Sequence, residues 1–274
     1  MRLGKNGLIC IFFFSLLPIL GWTVEYRPWI GNYLEFEWNS TLRFQAFQDL
    51  AAGSHRFPYA SDDFFLTTSL ALAAKPDFSL DVEATAARTR RQSGSIDQIR
   101  LNGRIVWLDD IVGDPVTLTT GAGFIQAFDW SLKDKSSFHH GRSEAEIFLS
   151  VGKEWAQGDQ WISRAWAMAA LGSAARGSPW MRYDMAYAQR IKQCHEFEFF
   201  VHTLWGLGSK QLHRSHFHGY GAIDHQSIDL GCRYTYLIQF FGSASIEYAK
   251  RVYARNFPVQ AHQISLSLLY TFGL

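Results

Sequence analysis

Cysteine, charge of a prevailing sign and long apolar runs are all scarce in this chain. It holds 3 Cys in 274 residues, and its 26 Lys+Arg nearly cancel its 25 Asp+Glu. The charge balance leaves no electrostatic footprint for a nucleic acid. No Gly-rich phosphate loop, Cys-x-x-Cys metal site or dinucleotide fingerprint occurs, and no cofactor is expected. Beyond the amino terminus no apolar run is long enough for a bundle of spanning helices, and the mean hydropathy of -0.10 agrees. A spanning β-barrel survives this exclusion, because its strands alternate apolar and polar residues and average out. Aromatic side chains, by contrast, are plentiful at 16% and argue against disorder. The length suits one large domain or two small ones.

The amino terminus has its own character. Arg2 and Lys5 precede an almost wholly apolar run from Gly7 to Trp22, followed by the short residue Thr23. This is the plan of a secretory signal peptide, expected over residues 1–23, with 24–274 as a single mature domain. An uncleaved anchor is the alternative, but the run is short for a spanning helix and Pro18 interrupts it. Cys10 lies inside the apolar run with no small residue just before it, which argues against lipid attachment. Export permits a disulfide. Cys194 falls in a turn and Cys232 mid-strand, so two free thiols are expected.

After Glu25 the pattern is period-two alternation. In Tyr33 to Phe47, the even positions Leu34, Phe36, Trp38, Leu42 and Phe44 face one way. Glu35, Glu37, Asn39, Arg43 and Gln45 face the other. The last stretch repeats this, with Ile264, Leu266, Leu268, Tyr270, Phe272 and Leu274 in register. The alternation predicts twelve strands, at about 33–47, 63–75, 78–90, 97–109, 115–130, 143–156, 160–172, 180–191, 195–207, 226–239, 241–254 and 260–274. The seventh is irregular, because Trp161 and Trp166 fall on opposite faces. Short connections follow the even-numbered strands. Mostly longer ones follow the odd-numbered strands, above all 50–62, 131–142 and 208–225.

Alternating short and long connections describe an up-and-down meander with its tight turns on one rim. A soluble barrel would turn its apolar face inward. The export signal, the even strand count and the strand lengths favour a membrane. A tilted spanning strand needs about 9–11 residues, whereas soluble strands average about five or six. Joining the twelfth strand to the first leaves no open edge in hydrocarbon. These features together resemble the Gram-negative outer-membrane β-barrel class over residues 1–274. The resemblance implies outer-membrane location, periplasmic termini, and a final strand (260–274) read by the barrel-assembly machinery. It names no activity.

Several constellations offer chemistry. With the apolar face outward, the inner wall carries both charge signs. Arg43, Glu83, Arg104, His202, Arg233 and Glu247 are the candidate constriction of a small pore. Hairpin register puts Arg233 beside Glu247, Arg190 beside Glu196 and Asp184 beside His202, each a compatible cross-strand pair. The same wall also suits a salt-bridged interior that simply fills the barrel. His225 and Ser227 share a strand face, as an activated hydroxyl requires, and the segment resembles the His-x-Ser of outer-membrane phospholipase A. Here, however, the pair lies on the polar face, and no orienting Asn stands between Phe241 and Ala254. His213, His216 and His218 have the spacing and ring nitrogens of a transition-metal site. They equally suit an exposed loop contacting lipopolysaccharide phosphates, as do His139 and His140. Trp29, Trp107, Trp155, Trp180, Trp205, Tyr33 and Tyr253 fall near strand ends, where an interfacial girdle would lie. Asn39-Ser40-Thr41 matches a glycosylation sequon but sits inside the strongest strand.

The function expected from these residues is a small passive channel for hydrophilic solutes with a charged lumen. The alternatives are a non-conducting surface barrel whose external loops bind a partner, and a lipid hydrolase using His225 and Ser227. The expected partners are outer-membrane lipids and lipopolysaccharide, the assembly machinery and small hydrophilic solutes.

Overall fold

The computed structural model describes residues 26–158, 160–213, 217–238 and 242–273. The expected signal peptide lies outside them. Twelve long strands build one antiparallel sheet: β1 (Glu35–Ala52), β2 (His55–Lys75), β3 (Phe78–Arg88), β4 (Ser93–Leu108), β5 (Thr117–Ala127), β6 (Ser143–Gln157), β7 (Gln160–Ala174), β8 (Trp180–Ile191), β9 (His195–Gly206), β10 (Gln226–Ile238), β11 (Gly242–Arg255) and β13 (His262–Gly273). A two-residue strand, β12 (Pro258–Val259), lies against Asp49 and Leu50 of β1. Each long strand pairs with the next. β13 then closes on β1 from Glu35↔Gly273 to Ala46↔His262. This is the closed up-and-down barrel that the alternation implied. Closure leaves no open edge between the last strand and the first, as hydrocarbon demands.

The faces are inverted relative to a soluble barrel. Leu101 is 50% exposed and Phe199 65%, while Glu83 is fully buried. Ile147, Leu149, Leu266 and Leu268 also point outward, and Asp81, Arg100, Glu144 and Glu146 point inward. Both described cysteines are free. Connections on one rim are short, at two or three residues for 76–77, 158–159, 192–194 and 239–241 and eight for 109–116. The other rim carries the long segments 128–142 and 207–225.

Three expectations need correction. The stretch 50–62 is not a loop: β1 and β2 run on for 18 and 21 residues and turn at Gly53 and Ser54. A register shift between Phe47 and Asp49 breaks the alternation there, so a single parity count stops too early. Pro58 is tolerated because β2 pairs with β3 only from Phe64 onward, which leaves its outer part an edge. In β7, Trp161 and Trp166 both face inward and are buried. Trp155 pairs with Ser163 and Ala156 with Trp161, so Ile162 is an extra residue that resets the parity. Finally, Trp29 and Trp180 leave the girdle for the lumen, while Trp107, Trp155, Trp205, Tyr33 and Tyr253 are exposed.

Candidate functional site

The barrel encloses two cavities along its axis. The lower one, at the short-turn rim, has a volume of about 430 Å³. The upper one, beneath the long segments, has about 350 Å³. Arg233 lines both.

The amino-terminal segment 26–32 occupies the lumen beside the lower cavity. Its anchors come from several strands. Thr119 donates to the Pro28 carbonyl at 2.5 Å, and Arg104 Nη1 reaches the carbonyls of Arg27 and Trp29 at 3.4 and 3.5 Å. The Trp29 indole donates to Asp110 at 3.0 Å and lies under the Arg164 guanidinium. A Cβ on Gly152 would stand 2.6 Å from Pro28 Cγ and 2.8 Å from the Trp29 ring. That wall position is therefore bare because the segment packs against it. Tyr26 reaches deepest. Its ring meets Phe148 edge-on at 4.3 Å, with Arg182 stacked over it at 4.1 Å. Around it Phe148, Trp166, Met168 and Phe200 form an apolar belt inside an otherwise polar lumen.

The segment is tied to the wall by a network of ion pairs. Arg27 donates to Glu198 at 3.0 Å. Glu198 also accepts from Arg233 at 2.8 Å, and Arg233 holds Glu247 at 2.7 Å. A second network joins Arg100 and Arg182 to Glu146 at 3.2 and 2.8 Å. His202 meets Asp184 at 3.0 Å.

The long-loop rim is closed by an inward-folded cap. Leu212, Phe217, Tyr220 and Ile223 of segment 207–225 pack with Phe47, Leu50, Tyr59 and Phe257. Phe138 of segment 128–142 adds to this cluster. Each large apolar side chain so buried contributes about 1.5–3 kcal/mol, which explains why a long loop folds back. Backbone bonds seal the cap: Tyr220 N donates to His139 O at 2.7 Å and Gly221 N to His140 O at 3.0 Å. A Cβ on Gly221 would run into the His140 carbonyl. Asn256, in the left-handed region at φ 51°, ties the β1–β2 turn to both ends of segment 207–225. Its Oδ1 accepts from Gly53 N at 2.7 Å and Leu212 N at 3.3 Å, and its Nδ2 donates to Asp224 O at 2.6 Å. Asn256→Ala strands these buried groups, at roughly 1–3 kcal/mol each. Protease cleavage within 207–225 is expected to quicken at least tenfold while the barrel stays folded.

A histidine cluster lies under the cap. His140 Nε2 and His225 Nε2 face each other at 3.3 Å, and His225 Nδ1 donates to the Ile223 carbonyl at 3.0 Å. His140 stacks on Trp180 at 3.5 Å and lies 3.5 Å from Glu144. His139 meets Asp97 at 3.0 Å and Glu144 at 3.9 Å. Burial and the neighbouring His140 push His225 down to about 3. Burial also lowers His140, against the pull of Glu144. Burial opposes a charge on His139 too, but Asp97 and Glu144 outweigh it and raise that imidazole. The closed cap thus holds His140 and His225 neutral, and opening lets them take protons. Their contribution is complete above the ordinary imidazole value, about 6.5, and is lost as the pH falls below it. The contribution of His139 has the opposite sign, full below about 6.5 and fading as the pH rises. Cap cleavage is therefore expected to quicken between pH 7.5 and pH 5, and His225→Phe to flatten that dependence.

The six candidate constriction residues all lie on the inner wall but in different places. Arg43, His202 and Glu247 line the upper cavity, Arg104 the lower, and Arg233 both. Glu83 is fully buried and accepts from Gln98. Arg233↔Glu247 and Asp184↔His202 are register pairs in ion contact. Arg190 is opposite Glu196 but stacks on Trp161 at 3.8 Å. Both ring nitrogens of His225 are turned to His140 and Ile223, and no hydrogen bond joins it to Ser227, which lines the lumen. His213 and His218 are exposed and His216 lies outside the described residues. No cluster of three metal-ligating side chains occurs among the described residues.

No protein-family model matches the chain, and no curated protein matches it. Solved structures do. The COG4313 outer membrane channel from Pseudomonas putida F1 superposes with a TM-score of 0.62 at 6% identity, over 91% of this chain and 100% of that one. The NanC porin gives 0.54 at 10% identity, over 85% and 100%. The KdgM porin, solved in complex with disordered oligogalacturonate, gives 0.51 at 8% identity, over 85% and 99%. At such identities the likeness establishes the fold, that of the outer-membrane β-barrels.

Proposed function

We propose that this chain is a gated outer-membrane channel for small hydrophilic solutes, with its short-turn rim in the periplasm and its long-loop rim outside. The observation that carries this reading is that the lumen is not a packed core. Two cavities share Arg233 in their walls, and what obstructs them is segment 26–32 and loops rather than wall strands. Such parts leave without breaking the barrel. The porins and channel that share the fold support the same reading. An export signal over residues 1–23 and a last strand presenting Tyr270 and Phe272 outward suit delivery and assembly there.

The lower cavity is lined by five arginines against three carboxylates, so the periplasmic vestibule favours anions. The hydrolase alternative is opposed by Ser227 facing the lumen rather than lipid. The loop-binding alternative is opposed by the cap, which keeps Leu212, Phe217, Tyr220 and Ile223 inside. The test is single-channel recording of the refolded mature chain in a planar bilayer. Discrete steps are expected, more frequent in Asn256→Ala. A heat-modifiable, folded barrel that never conducts in either form would refute the channel.

A further inference from the structure

We propose that the outer wall at the β3–β4 corner of the long-loop rim is a binding site for lipid A, the doubly phosphorylated, multiply acylated glycolipid of lipopolysaccharide. This rests on the orientation proposed above, with the long-loop rim outside, but it does not require the barrel to conduct.

Uncompensated positive charge sets this corner apart. Arg88 ends β3, Arg91 belongs to the turn 89–92, and Lys133 closes the short helical turn Ser131–Lys133. All three are exposed. Arg91 Nη1 reaches the Lys133 carbonyl at 3.4 Å, which seats that guanidinium beside Lys133. Among the described residues none of the three has a carboxylate within 4.0 Å. Elsewhere on the same rim the charges are answered, Arg142 by Asp129 at 2.7 Å and Arg255 by Asp224 at 2.8 Å. The acids of the corner are otherwise placed. Asp134 is buried and accepts from Thr89 and Gln92, and Asp62, exposed on β2, pairs with none of the three cations. The frame that presents the cations is fixed. The Gln92 amide ties the turn to Ser137 at 2.7 Å and to Asp97 at 3.2 Å. Open guanidinium forks on a rigid frame match phosphate oxygens.

The wall beneath suits acyl chains. On its lipid-facing side Ala86 lies between Leu66 and Ile96, and Ala84 between Thr68 and Ile99. The two alanines sink a shallow channel between larger neighbours, since Ile96 is 50% and Ile99 43% exposed. Arg88 stands on the same face one rung above Ala86, at the head of that channel. Trp130 marks the height at which headgroups begin. Its exposed ring stacks on Phe128 at 5.0 Å and donates to the Ile96 carbonyl at 2.8 Å. Charge above and an apolar channel below reproduce the layout of a phosphorylated headgroup over its acyl chains.

The experiment is native mass spectrometry of the full mature chain, refolded in detergent with EDTA so that no divalent cation bridges phosphate to carboxylate. The probes are lipid A, dephosphorylated lipid A, phosphatidylethanolamine and inorganic phosphate. One lipid A is expected to bind saturably, at least tenfold tighter than either other lipid, and excess inorganic phosphate should not displace it. Arg88→Gln with Arg91→Gln should weaken binding tenfold or more, and Ala86→Trp, which fills the channel, a few-fold. Arg176→Gln, on the same rim between β7 and β8, should change nothing. Heat-modifiable migration verifies folding of each variant. Equal binding by native protein and the folded double variant overturns the site. So does displacement by inorganic phosphate, or equal binding of the three lipids. A barrel that binds lipid A as expected and never conducts would uphold this site while refuting the channel.

Discussion

A barrel in which Tyr26, Arg27 and Trp29 are all replaced by alanine is expected to conduct far more readily than the native chain. The three side chains hold the amino-terminal segment in the lumen by different means. Tyr26 inserts its ring into the belt formed by Phe148 and its neighbours, Arg27 pairs with Glu198, and Trp29 is clamped between Arg164 and Asp110. Removing the buried Tyr26 ring and the half-buried Trp29 ring forfeits about 3 kcal/mol of segment docking or more. At about 1.4 kcal/mol per factor of ten, the docked population falls by roughly a hundredfold or more. Single-channel recording should show this as a comparable rise in open time. The barrel itself should survive, because the segment contributes no strand. The wall offers the same test from its other side. Pro28 Cγ lies 2.6 Å from where a Gly152 Cβ would stand, so Gly152→Leu should crowd the segment out and raise the open time as well. Unchanged recordings from both variants would show that the segment is no gate.

Arg233→Ala is expected to have the second large effect, on ion selectivity. This guanidinium holds Glu247 through two bonds and Glu198 through a third. Its loss leaves the buried Glu198 with Arg27 and the half-buried Glu247 without its ion pair. Truncating one member of a buried pair costs about 3–5 kcal/mol, so the variant should unfold at lower denaturant concentration. At the residue both cavities share, one positive charge is lost and Glu247 is left without its partner. Reversal potentials in a salt gradient should move decisively toward cations. Arg233→Ala with Glu247→Gln should recover much of the stability and part of the native selectivity. A selectivity unchanged by Arg233→Ala would place the ion path elsewhere in the lumen.

The wall was legible because a spanning strand obeys one rule. Side chains alternate between lipid and lumen, so Glu35, Glu37 and Arg43 follow from Phe36, Leu42 and Phe44. Tight turns then set register, which is how Arg233 meets Glu247 and Asp184 meets His202. The rule fails where one residue is added. The bulge at Ile162 turned two inward tryptophans into an apparent contradiction, and the shift near Phe47 hid the outer half of the first hairpin. The lumen's contents obey no periodicity. Segment 26–32 precedes the first alternating stretch and carries no pattern of its own, and one trace of it in the wall is the glycine at 152, against which Pro28 and Trp29 pack. The cap was signalled more openly, since Leu212, Phe217, Tyr220 and Ile223 are too apolar for a loop that stays in water. Where those side chains would go depended on pairing across distant parts of the chain.

The seam between β1 and β13 also sets an order of events. It joins the two ends of the barrel sequence, so the contacts that close the cylinder are the most non-local in the molecule and form late. The strand that makes this last junction is continuous with segment 26–32. Sealing the wall and stowing the segment are therefore coupled steps of one assembly. A chain that zips its seam with the segment outside would have to thread it back through the lower rim. Some newly made barrels should thus emerge trapped, and assembly in the cell must favour the arrangement in which the segment enters first.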